Sequence, residues 1–301
     1  MCGIAGFVDF DGRSDRPELE KMTDSLRHRG PDASGYYVDR TDGYAIGLGH
    51  RRLSIIDLSP AGNQPMQFQN GRYWIVFNGE IYNYAELKEQ LAAKGRHFQS
   101  HSDTEVILHA YHEWGPESLS RFVGMFAFVI YDTQERKLFC CRDRAGVKPF
   151  FYFWDGKHFL FGSELKAILV NPYAEKRIDN RAIASFLQFG YIPSNQCIFQ
   201  QTYKLLPGHF LLFDLNRISI HTEQYWSVYS YYNREKLKIS LEDAIPETER
   251  ILSKAFRYRM VADVPVGVFL SGGYDSSCLA ALLQKDGAQK LKTFTIGFDD
   301  Q

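Results

Sequence analysis

The apolar positions of this chain follow two regimes. Up to about residue 210, short apolar runs with period two dominate, broken by Gly, Pro, Asn and Asp. Strand side chains alternate between faces, so such runs read as strands; apolar residues three and four apart read as one face of a helix. Residues 2–10 (Cys-Gly-Ile-Ala-Gly-Phe-Val-Asp-Phe) read as a buried strand. Further strands are expected at 35–38, 44–48, 53–56, 73–77, 125–131 and 137–141, with a hairpin pairing 150–153 and 158–162 around Asp155-Gly156. Helices are expected at 17–26, with Pro17 at the start, and at 84–94, closed by Gly95. A Ser102-x-x-Glu105 capping box opens another to about Trp114, and Asp179 caps one to about Phe189. Many strands with few helices predict an α+β domain built on sheets over 2–210.

After Pro207-Gly208 the pattern changes. Residues 221–239 are polar and rich in Tyr, and 211–240 read as a linker. An amphipathic helix follows at 241–260, then an apolar strand at 265–270, the turn Ser271-Gly272-Gly273-Tyr274-Asp275-Ser276-Ser277, a helix at 278–284 and a strand at 291–298. Strand, Gly-rich turn, helix, strand is the opening of a parallel α/β sheet. One or two strands do not stabilise such a sheet, so 241–301 is expected to be the N-terminal part of a longer domain.

Composition narrows the function classes. With 301 residues, 45% hydrophobic and 24% charged, the chain is globular in character. Lys plus Arg is 35 and Asp plus Glu is 36, a balance that argues against holding nucleic acid or membrane by bulk charge. No apolar run reaches the ~18 residues of a membrane helix. Met1-Cys2-Gly3 does not begin a basic-then-apolar leader, so the cytoplasm is the expected location. Five cysteines, Cys2, Cys140, Cys141, Cys197 and Cys278, show neither C-x-x-C nor zinc spacing, and no metal site is expected from them. Cys140, Cys141 and Cys197 sit among apolar residues and read as small buried hydrophobes. Cys2 differs, because removing Met1 would make it the N-terminus.

Four constellations carry candidate chemistry. An N-terminal Cys offers a nucleophilic thiol and, in its own α-amine (ordinary pKa about 7.7–8.0), a base. Taken alone, any protein can carry Cys at position 2. Asn78-Gly79 at a strand end can point a side-chain amide and a backbone N–H at one oxygen, as an oxyanion hole does; a plain Gly turn is the competing reading. Arg52, entering a strand from Gly49-His50-Arg51, could clamp a carboxylate. Asp103 could bind an ammonium group or simply favour its helix N-terminus. In Ser271–Ser276 two glycines let backbone N–H groups approach phosphate at a helix N-terminus, without the Gly-Lys-Ser/Thr of a Walker loop.

Together these residues resemble the glutamine-dependent asparagine synthetase family. The resemblance runs through Met1 to Gly6, Arg27-His28-Arg29-Gly30-Pro31-Asp32, Arg52-Leu53-Ser54-Ile55-Ile56-Asp57 and Phe77-Asn78-Gly79-Glu80-Ile81-Tyr82-Asn83. It continues in Ser102 to Ile107, Gly124 to Phe128, Arg142-Asp143-Arg144 to Lys148-Pro149, Gly162 to Lys166, and Ser271 to Ser277. It implies an α+β N-terminal-nucleophile hydrolase fold, stacked sheets between helices, followed by the beginning of an α/β parallel-sheet ATP-pyrophosphatase domain. It implies glutamine hydrolysis at Cys2, with Asn78 and Gly79 on the oxyanion. Arg52 would bind the glutamine carboxylate, backbone groups of Leu53, Ser54, Ile55 and Ile56 would lie nearby, and Glu80 and Asp103 would bind the ammonium. Ammonia would pass inside the protein to the second domain, where ATP with Mg²⁺ adenylates aspartate and ammonia displaces AMP. Leu270, Ser271, Gly272, Gly273, Asp275 and Ser276 match the ATP loop, and Ile296 matches a position bordering the adenine. Relatives in the family amidate other carboxylates, and a glutaminase-only or regulatory fragment is a further alternative; lactam-forming relatives lack the nucleophile that Cys2 supplies. Family members are often dimers. Tyr274 stands where the family usually has Leu, and the family's later acidic motif and catalytic Lys do not occur in these residues.

Overall fold

Side-chain alternation along the strands builds the first part of the chain in four layers. The structure is a computed structural model and describes residues 1–41, 43–287 and 290–297. It divides into two units, Met1–Tyr231 and a second beginning at Tyr232. The strands of the first are β1 (Gly3–Asp9), β2 (Ala33–Thr41), β3 (Tyr44–Arg52), β4 (Met66–Phe68), β5 (Tyr73–Ile81), β6 (Gly124–Asp132), β7 (Lys137–Arg142), β8 (Phe151–Trp154), β9 (His158–Gly162), β10 (Thr202–Lys204), β11 (His209–Asp214) and β12 (Ser219–Gln224). They form two six-stranded antiparallel sheets, ordered β10-β8-β9-β1-β3-β2 and β12-β11-β7-β6-β5-β4.

One face of each sheet meets the other sheet. Ile4 and Val8 of β1 and Ile46 and Leu48 of β3 pack with Val76 of β5, Val129 of β6 and Leu211 of β11. The opposite faces take helices. Ala5 and Phe7 lie against Leu19 and Met22 of the helix Arg16–Asp24. Ile75 and Phe77 lie against Leu91 of the helix Tyr84–Ala92 and Val106, Ile107 and Ala110 of the helix Asp103–Trp114. Each fully buried Val, Leu, Ile, Phe or Met among them contributes roughly 1.5–3 kcal/mol. The expected stacked-sheet α+β architecture is therefore present. Parity also matters for function: counting by twos from Ile4, Leu48 and Val76 reaches Cys2, His50 and Asn78, all at one end of the space between the sheets.

Four local expectations change. Residues 53–56 are not a strand, because the loop after β3 curls around the Arg52 guanidinium. Asn78, Gly79 and Glu80 are not a turn; β5 runs through them to Ile81. Gly79 is needed there because a Cβ would stand 2.3 Å from the Met125 carbonyl oxygen of β6. Residues 211–224, read as linker, largely extend β11 and form β12, which pair with each other and join β7. Ser102 does cap its helix, accepting from Thr104 N–H at 3.1 Å, but Glu105 accepts instead from Gln99 and Ser100 N–H at 2.8 and 2.7 Å.

The second unit contains the helix Leu241–Tyr258, strand β13 (Gly267–Phe269), the helix Tyr274–Asp286 and strand β14 (Lys292–Phe294). β13 and β14 pair in parallel, as the strand–turn–helix–strand order requires. The expected strand at 291–298 is shorter, and Phe298 lies outside the described residues. Among the described residues no helix is long and apolar enough to cross a membrane.

Candidate active site

At the end of the inter-sheet space lies a cavity of about 410 Å³. Its walls include Met1, Cys2, Arg52, Leu53, Ile55, Ile56, Asn78, Gly79, Glu80, Asp103 and Lys148. Nine of the ten sequence-predicted residues of the first domain are thus brought together, from four separate segments of chain. Ser54 is the exception: it is not in the wall, and its N–H donates to Asp32 at 2.8 Å.

Cys2 precedes β1 and is anchored from two directions. Arg29 donates through Nε to the Cys2 carbonyl at 2.9 Å, while its Nη1 is paired with Glu164 at 2.9 Å. Ser163 exchanges hydrogen bonds with Ile4, its Oγ accepting from Ile4 N–H at 3.0 Å. The Arg27–Asp32 and Gly162–Lys166 motifs thus hold the strand that presents the thiol. The sulfur lies 3.4 Å from Leu53 N, which donates to it, and 3.5 Å from Leu53 O, to which the thiol donates. Burial pushes the Cys2 thiol up, partly offset by the Leu53 contact and by the positive N-terminus and Lys148. Burial pushes the Met1 ammonium down.

The oxyanion candidates lie on an open edge of β5. Phe126, opposite Gly79 in β6, turns both its peptide groups to Asp143: its N–H donates to Oδ2 at 3.1 Å and its C=O accepts at 2.8 Å. In an antiparallel pair this register points residues 77, 79 and 81 away from β6. β4 covers only the stretch 73–75. Phe77 N–H donates to Gln64 at 2.6 Å, and Ile81 N–H donates to Asp103 at 2.9 Å. The Gly79 N–H between them is left without a strand partner. Beside it, Asn78 is fully buried, and both its amide oxygen and nitrogen lack a hydrogen bond. Buried amides are almost always satisfied, so an orphaned one on a cavity wall marks a place for a ligand oxygen. His50 fixes the edge from the other sheet, its Nε2–H donating to Phe77 O at 3.0 Å; burial pushes this imidazole down to about 3, so it is neutral.

The acids face the same space. Burial raises Glu80, and burial, with the Glu80 charge adding to it, raises Asp103 to about 7. Asp103 sits at the first turn of its helix and also lines the cavity. Its raised value makes a stability prediction. The folded chain keeps the proton up to about 7, whereas the unfolded chain releases it near 3.8. Protons bound are then more numerous in the folded state, and stability falls as pH rises between those values. Urea unfolding across pH 4–7 is expected to show that decline, and Asp103→Asn to flatten it; an unchanged slope in the variant would contradict the assignment.

Arg52 is more occupied than the sequence suggests. Its Nη1 donates to Ser59 O and Asn63 Oδ1, both at 2.8 Å, and its Nη2 to Ile56 O at 3.4 Å and to Asp57 O. It organises the loop that carries Leu53 to Ile56. Lys148 is the residue sequence reasoning missed. It closes the cavity wall from the loop after β7, and burial lowers its ammonium. The only signal for it was its place in the Arg142–Pro149 motif.

In the second unit the Ser271–Ser276 loop joins β13 to its helix. Ser276 Oγ donates to Gly273 O at 3.1 Å, lies 3.1 Å from Ser271 Oγ and accepts from Ser271 N–H at 3.3 Å. Gly272 has φ +80° with no atom within 4 Å of a built Cβ. Leu270 N–H donates to Phe294 O at 2.8 Å. An open, glycine-lined turn ahead of a 13-residue helix fits a phosphate group. Tyr274 points to solvent at 97% exposure, and Ile296 is exposed.

Residues 1–226 match the family model described as glutamine amidotransferase domain, and residues 247–301 that described as asparagine synthase. A putative asparagine synthetase [glutamine-hydrolyzing] 2 from Methanocaldococcus jannaschii is 40% identical over 319 residues, covering 99% of this chain and 60% of that protein. Asparagine synthetase [glutamine-hydrolyzing] 3 from Bacillus subtilis is 38% identical over 311 residues, covering 100% and 48%. Amidase chry2 from Gibberella zeae is 35% identical over 326 residues, covering 100% and 48%. The chain thus spans between about half and three-fifths of these relatives. Among solved structures, a glutamine phosphoribosylpyrophosphate amidotransferase from B. subtilis matches with TM-score 0.54 and 18% identity, over 98% of this chain and 65% of that one, a likeness of fold.

Proposed function

Because the chain belongs to the glutamine amidotransferase family over residues 1–226, with an asparagine synthase match after it, we propose that it hydrolyses glutamine at Cys2 and supplies the ammonia for amidating a carboxylate. The observation that carries this reading is the convergence of Cys2, the orphaned Asn78 amide, the free Gly79 N–H and two acids on one cavity.

Removal of Met1 gives Cys2 the terminal amine. That amine takes the thiol proton, and the thiolate attacks the glutamine side-chain carbon, forming a C–S bond. The carbonyl electrons move to oxygen, held by Asn78 Nδ2 and Gly79 N–H. The ammonium returns its proton to the leaving nitrogen, the C–N bond breaks, and ammonia departs from a thioester. Water, giving a proton to the amine, then attacks; the C–S bond breaks and glutamate and thiol result. Glu80 and Asp103 hold the substrate ammonium and Arg52 faces its carboxylate, with Leu53, Ser54, Ile55 and Ile56 as the loop that frames it. Intact mass and a glutaminase assay test this: we expect a protein lighter by Met1, releasing glutamate and ammonia in equal amounts. A Met1-free chain that releases neither would overturn it.

For the second unit we propose that Leu270, Ser271, Gly272, Gly273, Asp275 and Ser276 hold ATP phosphates, with Ile296 near the base and Asp275 toward Mg²⁺. Bound ATP would activate the acceptor carboxylate. Aspartate is the proposed acceptor on the names of the relatives; the amidase relative at 35% identity favours keeping another carboxylate as a second reading. A cytoplasmic location belongs to the same proposal.

A further inference from the structure

We propose that Gln64 is a positioning residue for the oxyanion site, its carboxamide standing in for the strand missing beside β5 and tying the peptide that leads into Asn78 to the helix that carries Asp103. This rests on the glutaminase reading.

β4 pairs Met66 with Ile75 and Phe68 with Tyr73. Carried on to the next hydrogen-bonding position, that antiparallel register sets Gln64 opposite Phe77. The ladder stops before it. The Gln64 backbone turns to the other sheet, where a Cβ on Gly35 of β2 would collide with the Gln64 carbonyl. Side chains take over the bonds to Phe77. Gln64 Oε1 accepts from Phe77 N–H at 2.6 Å, and His50 Nε2–H donates to Phe77 O at 3.0 Å. Gln64 Nε2 donates at 3.1 Å to the Oγ1 of Thr104, the residue after Asp103. The Phe77 N–H can only donate, so the carboxamide has one workable orientation. The chain before it is fastened too: Asn63 Oδ1 accepts from Arg52 Nη1 at 2.8 Å.

Gln64 is buried in the cavity wall, with its oxygen and its nitrogen both engaged by protein. It therefore holds other groups in place and is not itself offered to substrate. What it holds is the free edge of β5 at Phe77; Asp103 holds the same edge at Ile81, accepting at 2.9 Å. The Asn78 amide and the Gly79 N–H lie between these two anchors. Oxyanion donors act by standing in place before charge develops, with no reorganisation at the moment of reaction. Without Gln64, Phe77 N–H loses its acceptor and the edge shifts toward water to find another, taking the Asn78 amide with it.

The test compares wild type, Gln64→Met, Gln64→Glu, Asn78→Ala and the double variant combining Gln64→Met with Asn78→Ala. It follows kcat and KM for glutamine, and hydrogen exchange at the Phe77 amide by mass spectrometry. Met has nearly the shape of Gln without the acceptor; Glu keeps an acceptor for Phe77 N–H and can accept from the Thr104 hydroxyl. For Gln64→Met we expect kcat down about 10–100-fold, KM changed by less than about threefold, and faster exchange at Phe77. Gln64→Glu should restore slow exchange and bring kcat to within about threefold of wild type. In the Asn78→Ala background Gln64→Met should cost less than about threefold more, because its effect runs through the donor already removed. Losses that multiply would make Gln64 a structural residue, and a loss confined to KM a substrate-binding one; either overturns the proposal, as does a Gln64→Glu as slow as Gln64→Met. If Gln64→Met does not fold, Gln64→Asn, too short to reach both partners, is read the same way. A wild type without glutaminase activity refutes the functional reading instead, while exchange at Phe77 still decides whether Gln64 holds this edge.

Discussion

Cys2→Ala is expected to lower glutamine hydrolysis by ~10⁴-fold or more, with the fold intact. In the proposed mechanism the Cys2 sulfur forms the C–S bond, and no other cysteine of the chain lines this cavity: Cys140, Cys141 and Cys197 are buried and Cys278 lies in the second unit. The side chain is small and makes only two weak contacts, with Leu53 N and O at 3.4 and 3.5 Å. Its loss should therefore change stability by less than about 1 kcal/mol. Alanine is also small, so Met1 removal should proceed as before, which intact mass can verify. Glutaminase activity that survives in the processed variant would rule out Cys2 as nucleophile.

Asn78→Ala is expected to separate activity from stability. Losing one oxyanion donor costs about 10²–10³ in kcat, or ~2.7–4 kcal/mol of transition-state stabilisation. Stability should move the other way. Both polar atoms of the Asn78 side chain are buried and unpartnered, so the folded chain bears their desolvation without return. Removing them should leave the urea midpoint equal or raise stability by up to about 1 kcal/mol, net of the small space created. The checks are kcat and KM together with urea unfolding of the chain. A variant that loses both activity and stability would show Asn78 to be a structural residue. A variant whose loss falls on KM would place it in substrate binding.

Much of the site was legible before any coordinates. The Cys2, Arg52 and Asn78-Gly79 constellations each had an ordinary competing reading, and it was their joint order along the chain that pointed to one chemistry. Their gathering in one cavity follows from strand parity: Cys2, His50 and Asn78 continue the inward-facing sets of β1, β3 and β5. Residues 53–56 read as a strand in the sequence because their apolar run carries no sign of the Arg52 side chain, whose hydrogen bonds pull Ile56, Asp57 and Ser59 carbonyls toward one point. Asn78-Gly79 reads as a strand end in the sequence because Gly commonly ends strands; the close approach to Met125 O shows why Gly belongs inside this one. Residues 211–224 read as linker in the sequence because β12 is an edge strand, largely exposed and polar, which blurs the alternation.

Local pattern is sufficient for most strands, the main helices and the glycine-rich loop. These depend on periodicity, capping and residue type, which act over a few neighbouring residues. The open edge of β5, the orphaned Asn78 amide, the bound state of Arg52 and the place of Lys148 depend on partners far away in sequence. Lys148 faces Glu80 and Cys2 only because β7 lies beside β6, β6 beside β5, and the two sheets close over one another. Charge and hydrogen bonding at this site are therefore properties of the assembled sheets, and residue spacing along the chain has no direct record of them.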